Sequence, residues 1–206
     1  MTLICAHRVN DPVALRAVPA RFGVEIDLRS AGGRLILVHD AFTEGPDFED
    51  WLAGYAHAFI VVNTKEEGLE QRITAALDAH GVQEWAFLDQ SFPFMVRSLR
   101  SGETRTMVRV SEFESIQTAL ALDPRPRWVW VDSFTGAWPA AQSLRTLANH
   151  GFRLMVVSPE LQARSPQDEI AVVTARFEEA GVPLHGVCTK RPDLWEQPDA
   201  PWWAPE

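Results

Sequence analysis

Three charged motifs near the start of the chain carry residue types that could do chemistry. Each lies at the downstream end of a short apolar run: His7-Arg8, Glu25-Ile26-Asp27 and His39-Asp40. Strand ends are where α/β proteins place their chemistry. The spacing of two directs the carboxylates of Glu25 and Asp27 to the same face of a strand, where they repel unless a cation lies between them. The pattern favours a divalent metal or another bound cation, with His7 and His39 as proton carriers.

Composition limits the classes of function. With 206 residues, 46% of them hydrophobic, the chain can bury one full core, and we expect one domain over 1–206. A net charge of −9 argues against binding nucleic acid or an anionic membrane. No basic leader and no apolar run of about 20 residues occurs, which predicts a soluble cytoplasmic protein without a membrane span. Cys5 and Cys188 lack metal or redox spacing and are interpreted as buried thiols.

One unit recurs along the chain. It consists of a helical pattern, then a glycine, then a β-rich run. Its glycines are interpreted as left-handed helix caps: Gly23, Gly81, Gly151 and Gly181. The pattern predicts eight strands, at residues 2–6, 23–28, 58–62, 84–88, 104–110, 127–131, 153–157 and 184–188. A further run at 34–39 follows the second strand too closely for an intervening helix. We predict that it forms a hairpin carrying His39.

Helix starts support an alternation of strands and helices. They are predicted at Asp11-Pro12, at Ser111 with Glu114, and at Ser165-Pro166, and Pro19 should end the first helix. Alternation means a parallel sheet, and the absence of a glycine-rich loop after the first strand disfavours a doubly wound sheet. The sequence therefore predicts a single α/β TIM-type (β/α)8 barrel with a β-hairpin after strand two. The Pro- and Trp-rich residues 196–206 are predicted to be an irregular tail.

The residues after each strand of such a barrel converge on one mouth. Besides the three motifs, the mouth would collect Asn63, Lys65, Asp89, Arg109, Asp132 and Lys190. Carboxylates suit a hard cation, Arg and Lys suit an anion, and histidines suit proton transfer, a combination typical of phosphoryl transfer. Other readings stay open: Lys65 could start a solvated helix, Arg109 could pair with Glu112, and Asp132 could cap the next helix.

The motifs resemble those of a known family. His7-Arg8, Glu25-x-Asp27, His39-Asp40 on a hairpin and the closing segment 186–193 resemble the glycerophosphodiester phosphodiesterase group of the phospholipase C-like phosphodiesterase superfamily. Segments such as NTKEEGL and FLDQSFP are similar to a compact bacterial subgroup of it without an assigned substrate. The resemblance implies that His7 and His39 are the acid/base pair. It also implies that Glu25 and Asp27 bind Mg²⁺ or Ca²⁺, and that Arg8 and Lys65 hold the phosphate. Arg109 and Lys190 are further candidates for phosphate binding because they lie at the ends of predicted strands.

The chain departs from the family pattern at four places. Val9 replaces the usual glycine after His-Arg, and the Glu-Asn-Thr that commonly follows is missing. Asn63 replaces a third carboxylate ligand, and the family insertion shrinks to residues 41–57. Asp89 or Asp132 could supply the missing ligand, or Asn63 could bind through its carbonyl oxygen.

Three hypotheses about function follow. The first is metal-dependent hydrolysis of a small glycerol-, sugar- or lipid-derived phosphodiester. The second is a phosphorus-oxygen lyase that forms a cyclic phosphate on the same scaffold. The third is a degenerate barrel that binds a phosphorylated ligand without turnover. A small-molecule partner and a possible homodimer are expected.

Overall fold

A barrel of parallel strands forms the centre of the molecule. The structure, a computed structural model, describes residues 2–196, so most of the predicted tail lies outside the described residues. The strands are β1 Leu3–Ala6, β2 Gly23–Ala31, β3 Arg34–Leu37, β4 Ile60–Thr64, β5 Trp85–Leu88, β6 Met107–Val110, β7 Trp128–Val131, β8 Arg153–Val157 and β9 Gly186–Thr189. The helices are α1 Pro12–Ala17, α2 Phe48–Leu52, α3 Glu70–Ala79, α4 Phe92–Arg100, α5 Ile116–Leu120, α6 Ala141–Asn149, α7 Pro166–Ala180 and α8 Pro192–Trp195, with a 3₁₀ helix at Pro159–Gln162.

The sheet order is β5-β4-β2-β1-β9-β8-β7-β6, and every pair along it is parallel. Between β5 and β6 the pairing is reduced to one bridge, Phe87 with Thr106, so the barrel is nearly closed. β3 pairs antiparallel with β2. Eight parallel strands with helices between them confirm the predicted TIM-type barrel, and the β2–β3 pair confirms the hairpin.

Side chains at alternate strand positions fill the barrel interior. Cys5, Trp128 and Cys188 are among these buried residues, which confirms that both cysteines are buried. Gly23 is needed for space, because a Cβ there would lie 2.6 Å from Cys5 Sγ and 3.0 Å from the Phe59 carbonyl oxygen. The prediction that Gly23 caps a helix is wrong: α1 ends at Ala17, and Gly23 is the first residue of β2.

Most predicted helix ends are confirmed. Gly81, Gly151 and Gly181 adopt positive φ directly after α3, α6 and α7. Asp11 caps α1 by accepting hydrogen bonds from two backbone N–H groups, and α1 ends before Pro19. The predicted helix start at Ser111 is wrong, because Ser115 is the N-cap of α5. Ser111 instead donates its hydroxyl proton to Glu114 in the loop before that helix (2.7 Å).

Strand register places the predicted chemical residues at one end of the barrel. Asp27 on β2 stands beside Asn63 on β4. The backbone N–H of Val38 donates to the Asp27 carbonyl (3.0 Å), which holds the end of the hairpin, and with it His39, beside β2. Within residues 2–196, no helix combines the length and the apolar character needed to cross a bilayer.

His185, in the turn before β9, makes the stability of the barrel depend on pH. Its Nδ1 accepts the Leu154 backbone N–H (3.1 Å), and burial lowers the pKa of the imidazole to about 4. The unfolded chain binds this proton near pH 6.5 and the folded chain does not, so stability is lost as pH falls from 6.5 towards 4. Between pH 7.5 and 5.0 we expect this residue to account for about 1 kcal/mol, a value discounted because the ring is partly exposed.

Urea unfolding of the wild type and of His185→Gln at the two pH values measures this contribution. The variant should lose less stability than the wild type on acidification. An equal loss in both proteins would show that His185 is not the group responsible.

Candidate active site at the barrel mouth

Two buried carboxylates form the floor of the mouth. Glu25 and Asp27 are 1% and 0% exposed on β2. Glu25 accepts the backbone N–H of Arg8 (2.8 Å), and Asp27 accepts the side-chain amide of Asn10 (2.9 Å). Burial and the charge of Asp27 raise the pKa of Glu25 to about 7. Ionisation of both carboxylates at this buried position is therefore unfavourable unless a cation lies close to them.

Asn63 joins the carboxylates from β4. Its Nδ2 donates to Glu25 Oε1 (3.1 Å), while its Oδ1 is buried without a hydrogen-bond partner. A buried oxygen without a donor is rare and suits a hard cation. Between residues 2 and 196, however, no three His, Cys, Asp or Glu side chains come together in a metal-binding group. The candidate oxygen donors here are two carboxylates and one amide.

Two cationic side chains face Asp27. Lys65 Nζ lies 3.2 Å from Asp27 Oδ1, and Arg8 Nε lies 3.8 Å from Asp27 Oδ2. Arg8 has φ of 55°, a left-handed conformation that is uncommon outside glycine and is found at functional sites. This conformation directs its backbone N–H to Glu25 and leaves the guanidinium half exposed at the mouth. Lys65 is more deeply placed, with a side chain 16% exposed.

His7 lies at the same end of the barrel. Its Nε2 is 3.8 Å from Glu25 Oε2, and its Nδ1 is buried without a hydrogen-bond partner. Burial, helped by the charges of Arg8 and Lys190, lowers the pKa of His7 to about 4. The imidazole is therefore neutral at physiological pH in this environment.

His39, beyond the hairpin, is oriented by its neighbour. Its Nδ1 lies 2.7 Å from Asp40 Oδ1, and a carboxylate can only accept, so Nδ1 carries the proton and Nε2 is left to act. Hydrogen bonding to His39 holds the pKa of Asp40 below its usual range. The sequence motif paired these residues, but only the contact assigns Asp40 an orienting role.

Arg29 connects two candidate site residues and was missed from the sequence. Its Nε and Nη2 donate to the His39 carbonyl (3.1 and 3.0 Å), and its Nη1 donates to the Lys65 carbonyl (3.3 Å). One planar guanidinium thus positions the backbone at two corners of the mouth.

We expect Arg29→Met to lower the turnover number of catalysis at this site by about tenfold to 100-fold, because small displacements of catalytic groups are costly. Arg72→Met is the matched control, since Arg72 also donates to a hairpin carbonyl, that of Gly33 (2.7 Å), away from the site. Steady-state kinetics of both variants measure the effect. Equal activities in the two variants would contradict the positioning role.

A second charged cluster lies across the mouth, between β5, β6 and β7. Arg109 pairs with Asp89, with Asp132 (2.5 Å) and, at longer range, with Glu114 (3.8 Å). Asp132 is buried and also accepts from Gln162 Nε2 (3.0 Å). The structure therefore brings Asp89 and Asp132 to Arg109, whereas Glu25, Asp27 and Asn63 form their own group.

Glu112 does not pair with Arg109, contrary to one reading of the sequence. It accepts hydrogen bonds from the backbone N–H groups of Phe134 and Thr135 and holds the loop after β7. Those hydrogen bonds keep the pKa of Glu112 well below its usual range, outweighing its desolvation. Asp132 accepts the backbone N–H of Ser133 (2.8 Å), but it precedes α6 by nine positions and does not cap it.

Lys190 follows β9 with an exposed side chain. Its backbone N–H donates to Glu160 Oε1 (2.9 Å), which also accepts from the Thr189 hydroxyl (2.6 Å). Glu160 therefore positions the loop that carries Lys190, a role that the sequence did not indicate.

Solved structures share this architecture. A protein from Galdieria sulphuraria, provisionally described as a glycerophosphodiester phosphodiesterase, superposes with a TM-score of 0.70 at 13% identity over 95% of this chain and 96% of that chain. The chain therefore shares the TIM-type barrel fold of that protein. The same fold recurs in the glycerophosphodiester phosphodiesterase of Agrobacterium tumefaciens, with a TM-score of 0.66 at 18% identity over 95% and 99% of the two chains. The glycerophosphoryl diester phosphodiesterase of Parabacteroides distasonis gives 0.65 at 14% identity over 94% and 84%. No protein-family model and no curated protein sequence matches the chain.

Proposed function

We propose that the protein hydrolyses a small phosphodiester at the barrel mouth, which would make it a member of the glycerophosphodiester phosphodiesterase family. The observation that carries the proposal is the buried pair Glu25 and Asp27, flanked by Lys65, Arg8 and His7. Similarity to structures named for this activity supports the proposal at the level of fold. A glycerol-, sugar- or lipid-derived diester is the substrate class that we propose, and the cytoplasmic location and the homodimer stay predictions.

The donor set fits a hard divalent cation, Mg²⁺ or Ca²⁺. Glu25 and Asp27 would hold it, and Asn63 would add its unpaired Oδ1. When bound, the ion would offset the charge of the two carboxylates and neutralise charge that develops on the phosphate. Because one of the three donors is a neutral amide, we expect weaker affinity than three carboxylates would give. Asp89 and Asp132 are committed to Arg109 and are less suited to complete the site.

The chain's own residues bind and orient the phosphate and transfer the protons. Arg8 and Lys65 supply the positive charge that would bind the non-bridging oxygens, and Lys190 faces the same mouth. One histidine of the pair His7 and His39 takes the proton of the attacking water or hydroxyl, and the other protonates the departing alcohol. Asp40 would hold the proton of His39 on Nδ1, which would leave Nε2 available for this transfer.

Chelation tests the metal. We expect hydrolysis of bis(p-nitrophenyl) phosphate and of glycerophosphodiesters to be lost in EDTA and restored by Mg²⁺ or Ca²⁺. Glu25→Gln should lose this restoration while staying folded, because glutamine has nearly the same shape and removes a buried charge. Full activity of folded protein in EDTA would contradict metal dependence.

Product analysis by ³¹P NMR separates hydrolysis from cyclisation on the same samples. A phosphomonoester as the first product supports hydrolysis. A cyclic phosphate that accumulates first would replace the proposal with the lyase reaction. Cation binding without turnover of any diester would indicate a binding barrel.

A further inference from the structure

Both carboxylate oxygens of Asp27 already have neighbours within the protein. Oδ2 accepts the side-chain amide of Asn10 (2.9 Å) and lies 3.8 Å from Arg8 Nε. The other oxygen, Oδ1, is paired with the ammonium group of Lys65 at 3.2 Å. Because Asp27 is fully buried, these contacts rather than water must offset its charge. Lys65 is therefore the nearest counterion of the Asp27 carboxylate.

The proposed cation site and Lys65 compete for this carboxylate. Asn63 stands beside Asp27 on the neighbouring strand, and its Oδ1 is buried without a donor. A divalent ion shared by Asn63 and Asp27 would either take the oxygen that Lys65 contacts or lie close to the ammonium group. Like charges at such short range repel each other, and more strongly in a buried site than in water. Binding of the ion is therefore unfavourable while Lys65 stays on Asp27.

The side chain of Lys65 can move without its backbone. The backbone N–H of Lys65 donates to the Leu28 carbonyl (3.0 Å), and the Lys65 carbonyl accepts from Arg29 Nη1 (3.3 Å). A flexible four-carbon stem separates this anchored backbone from the ammonium group. The ammonium group can therefore shift from Asp27 towards the mouth while the end of β4 keeps its position.

An ammonium group released from Asp27 needs another anion. The Lys65 side chain is only 16% exposed, so water replaces the lost contact poorly. Within residues 2–196, Asp27 is the one acidic side chain that lies within 4.0 Å of Lys65 Nζ. The phosphate of a diester held at the mouth is the anion that the proposed function supplies. Binding of the ion and binding of the phosphate are thus linked through Lys65.

We infer that Lys65 is a switch residue, which pairs with Asp27 until a divalent ion takes this carboxylate and then pairs with the phosphate of the substrate. The inference rests on the proposed function, because it takes the ion and the phosphate to bind at this mouth. Lys65 then lowers the affinity for the ion when no phosphate is present. It also makes the ion and the phosphate promote each other's binding, since coupling between two sites is reciprocal.

Calorimetric titration with Mg²⁺ in the absence of phosphate tests the competition. The titration is done at pH 8.5, because Glu25, whose pKa is about 7, must be ionised for the ion to bind. Lys65→Met should bind Mg²⁺ at least about tenfold more tightly than the wild type, since it removes a like charge from a buried site. Lys65→Arg keeps the positive charge and should stay close to the wild-type affinity.

Lys190→Met is the matched control, because Lys65 and Lys190 are the only lysines in the sequence. The Lys190 side chain is exposed, so its loss should change Mg²⁺ affinity by less than about threefold.

The presence of only two lysines also allows a direct observation of the switch by NMR. Protein labelled with ¹³C-lysine gives one ε-carbon signal for each lysine, and Lys190→Met assigns them. In the wild type, Mg²⁺ should shift the signal of Lys65 and leave that of Lys190 nearly unchanged. Inorganic phosphate added to the Mg²⁺-loaded protein should then shift the Lys65 signal again.

Mg²⁺ affinity that is equal or lower in folded Lys65→Met would overturn the inference, and so would the absence of Mg²⁺ binding to both proteins. A Lys65 signal that Mg²⁺ leaves in place would overturn it in the wild type, even where the variant fails to fold. Hydrolysis of bis(p-nitrophenyl) phosphate by the same preparations reports on the proposed function separately. A Lys65 signal that responds to Mg²⁺ without any hydrolysis would support the competition and overturn the phosphodiesterase.

Discussion

We expect His7→Ala to lower kcat for bis(p-nitrophenyl) phosphate by about 10²-fold to 10⁴-fold, the range that positioned acid or base groups contribute. The reason is geometric: His7 is the imidazole nearest the buried carboxylates, with Nε2 3.8 Å from Glu25. Since the change removes no phosphate-binding cation, KM should change much less than kcat. Steady-state kinetics, with the unfolding midpoint measured on the same sample, give both values.

His150→Ala is the matched control for this experiment. His150 is the C-cap of α6, where its Nδ1 approaches the Thr146 carbonyl (2.7 Å), and it lies outside the site. This variant should keep full activity and lose only a little stability. A comparable loss of kcat in both variants, or none in His7→Ala, would remove His7 from the mechanism.

We expect Arg109→Met to destabilise the protein by about 3 kcal/mol or more, because it leaves the buried Asp132 carboxylate without its cation. The value lies at the lower end of the usual range since Asp132 keeps hydrogen bonds from Ser133 and Gln162. For a chain of this length the melting temperature should fall by roughly 6–12 °C. Urea unfolding and thermal melting measure the change.

A double-mutant cycle isolates the pair. Asp132→Asn removes the uncompensated charge, so the double variant should be more stable than the sum of the two single changes predicts. Arg100→Met, in the exposed last turn of α4, is the control and should change stability by less than about 0.5 kcal/mol. Additive effects would mean that Arg109 is free to bind a phosphate, as the sequence suggested.

The sequence predicted which residues meet at the site better than it predicted the contacts among them. His7, Glu25, Asp27, Asn63 and Lys65 were expected at one mouth, and the structure brings them together there. Their placement follows from strand ends and a parallel register, which hydrophobic pattern and glycine caps reveal. Roles in catalysis, metal binding and phosphate binding stay predictions.

Pairing among polar side chains was harder to predict. The sequence suggested Glu112 or a phosphate as the partner of Arg109, whereas the structure pairs it with Asp89 and Asp132, which lie 20 and 23 positions away in the chain. Arg29 and Glu160 were missed because neither belongs to a motif, and their partners are backbone groups of other loops. Such contacts require the two groups to be positioned to within about 1 Å of each other's ideal location, and no local sequence pattern encodes that precision.

By itself the sequence determined the eight strands, the hairpin, three of the four proposed glycine caps and the end of the barrel at which chemistry is concentrated. These features depend on local conformational preference and on burial periodicity, which short segments express without the rest of the chain. Only the tertiary structure decided that Gly23 serves close packing against Cys5, that Arg109 is held by carboxylates, and that the pairing between β5 and β6 is reduced to one bridge. Each of these depends on the spacing between elements distant in sequence, and that spacing is set when the barrel closes.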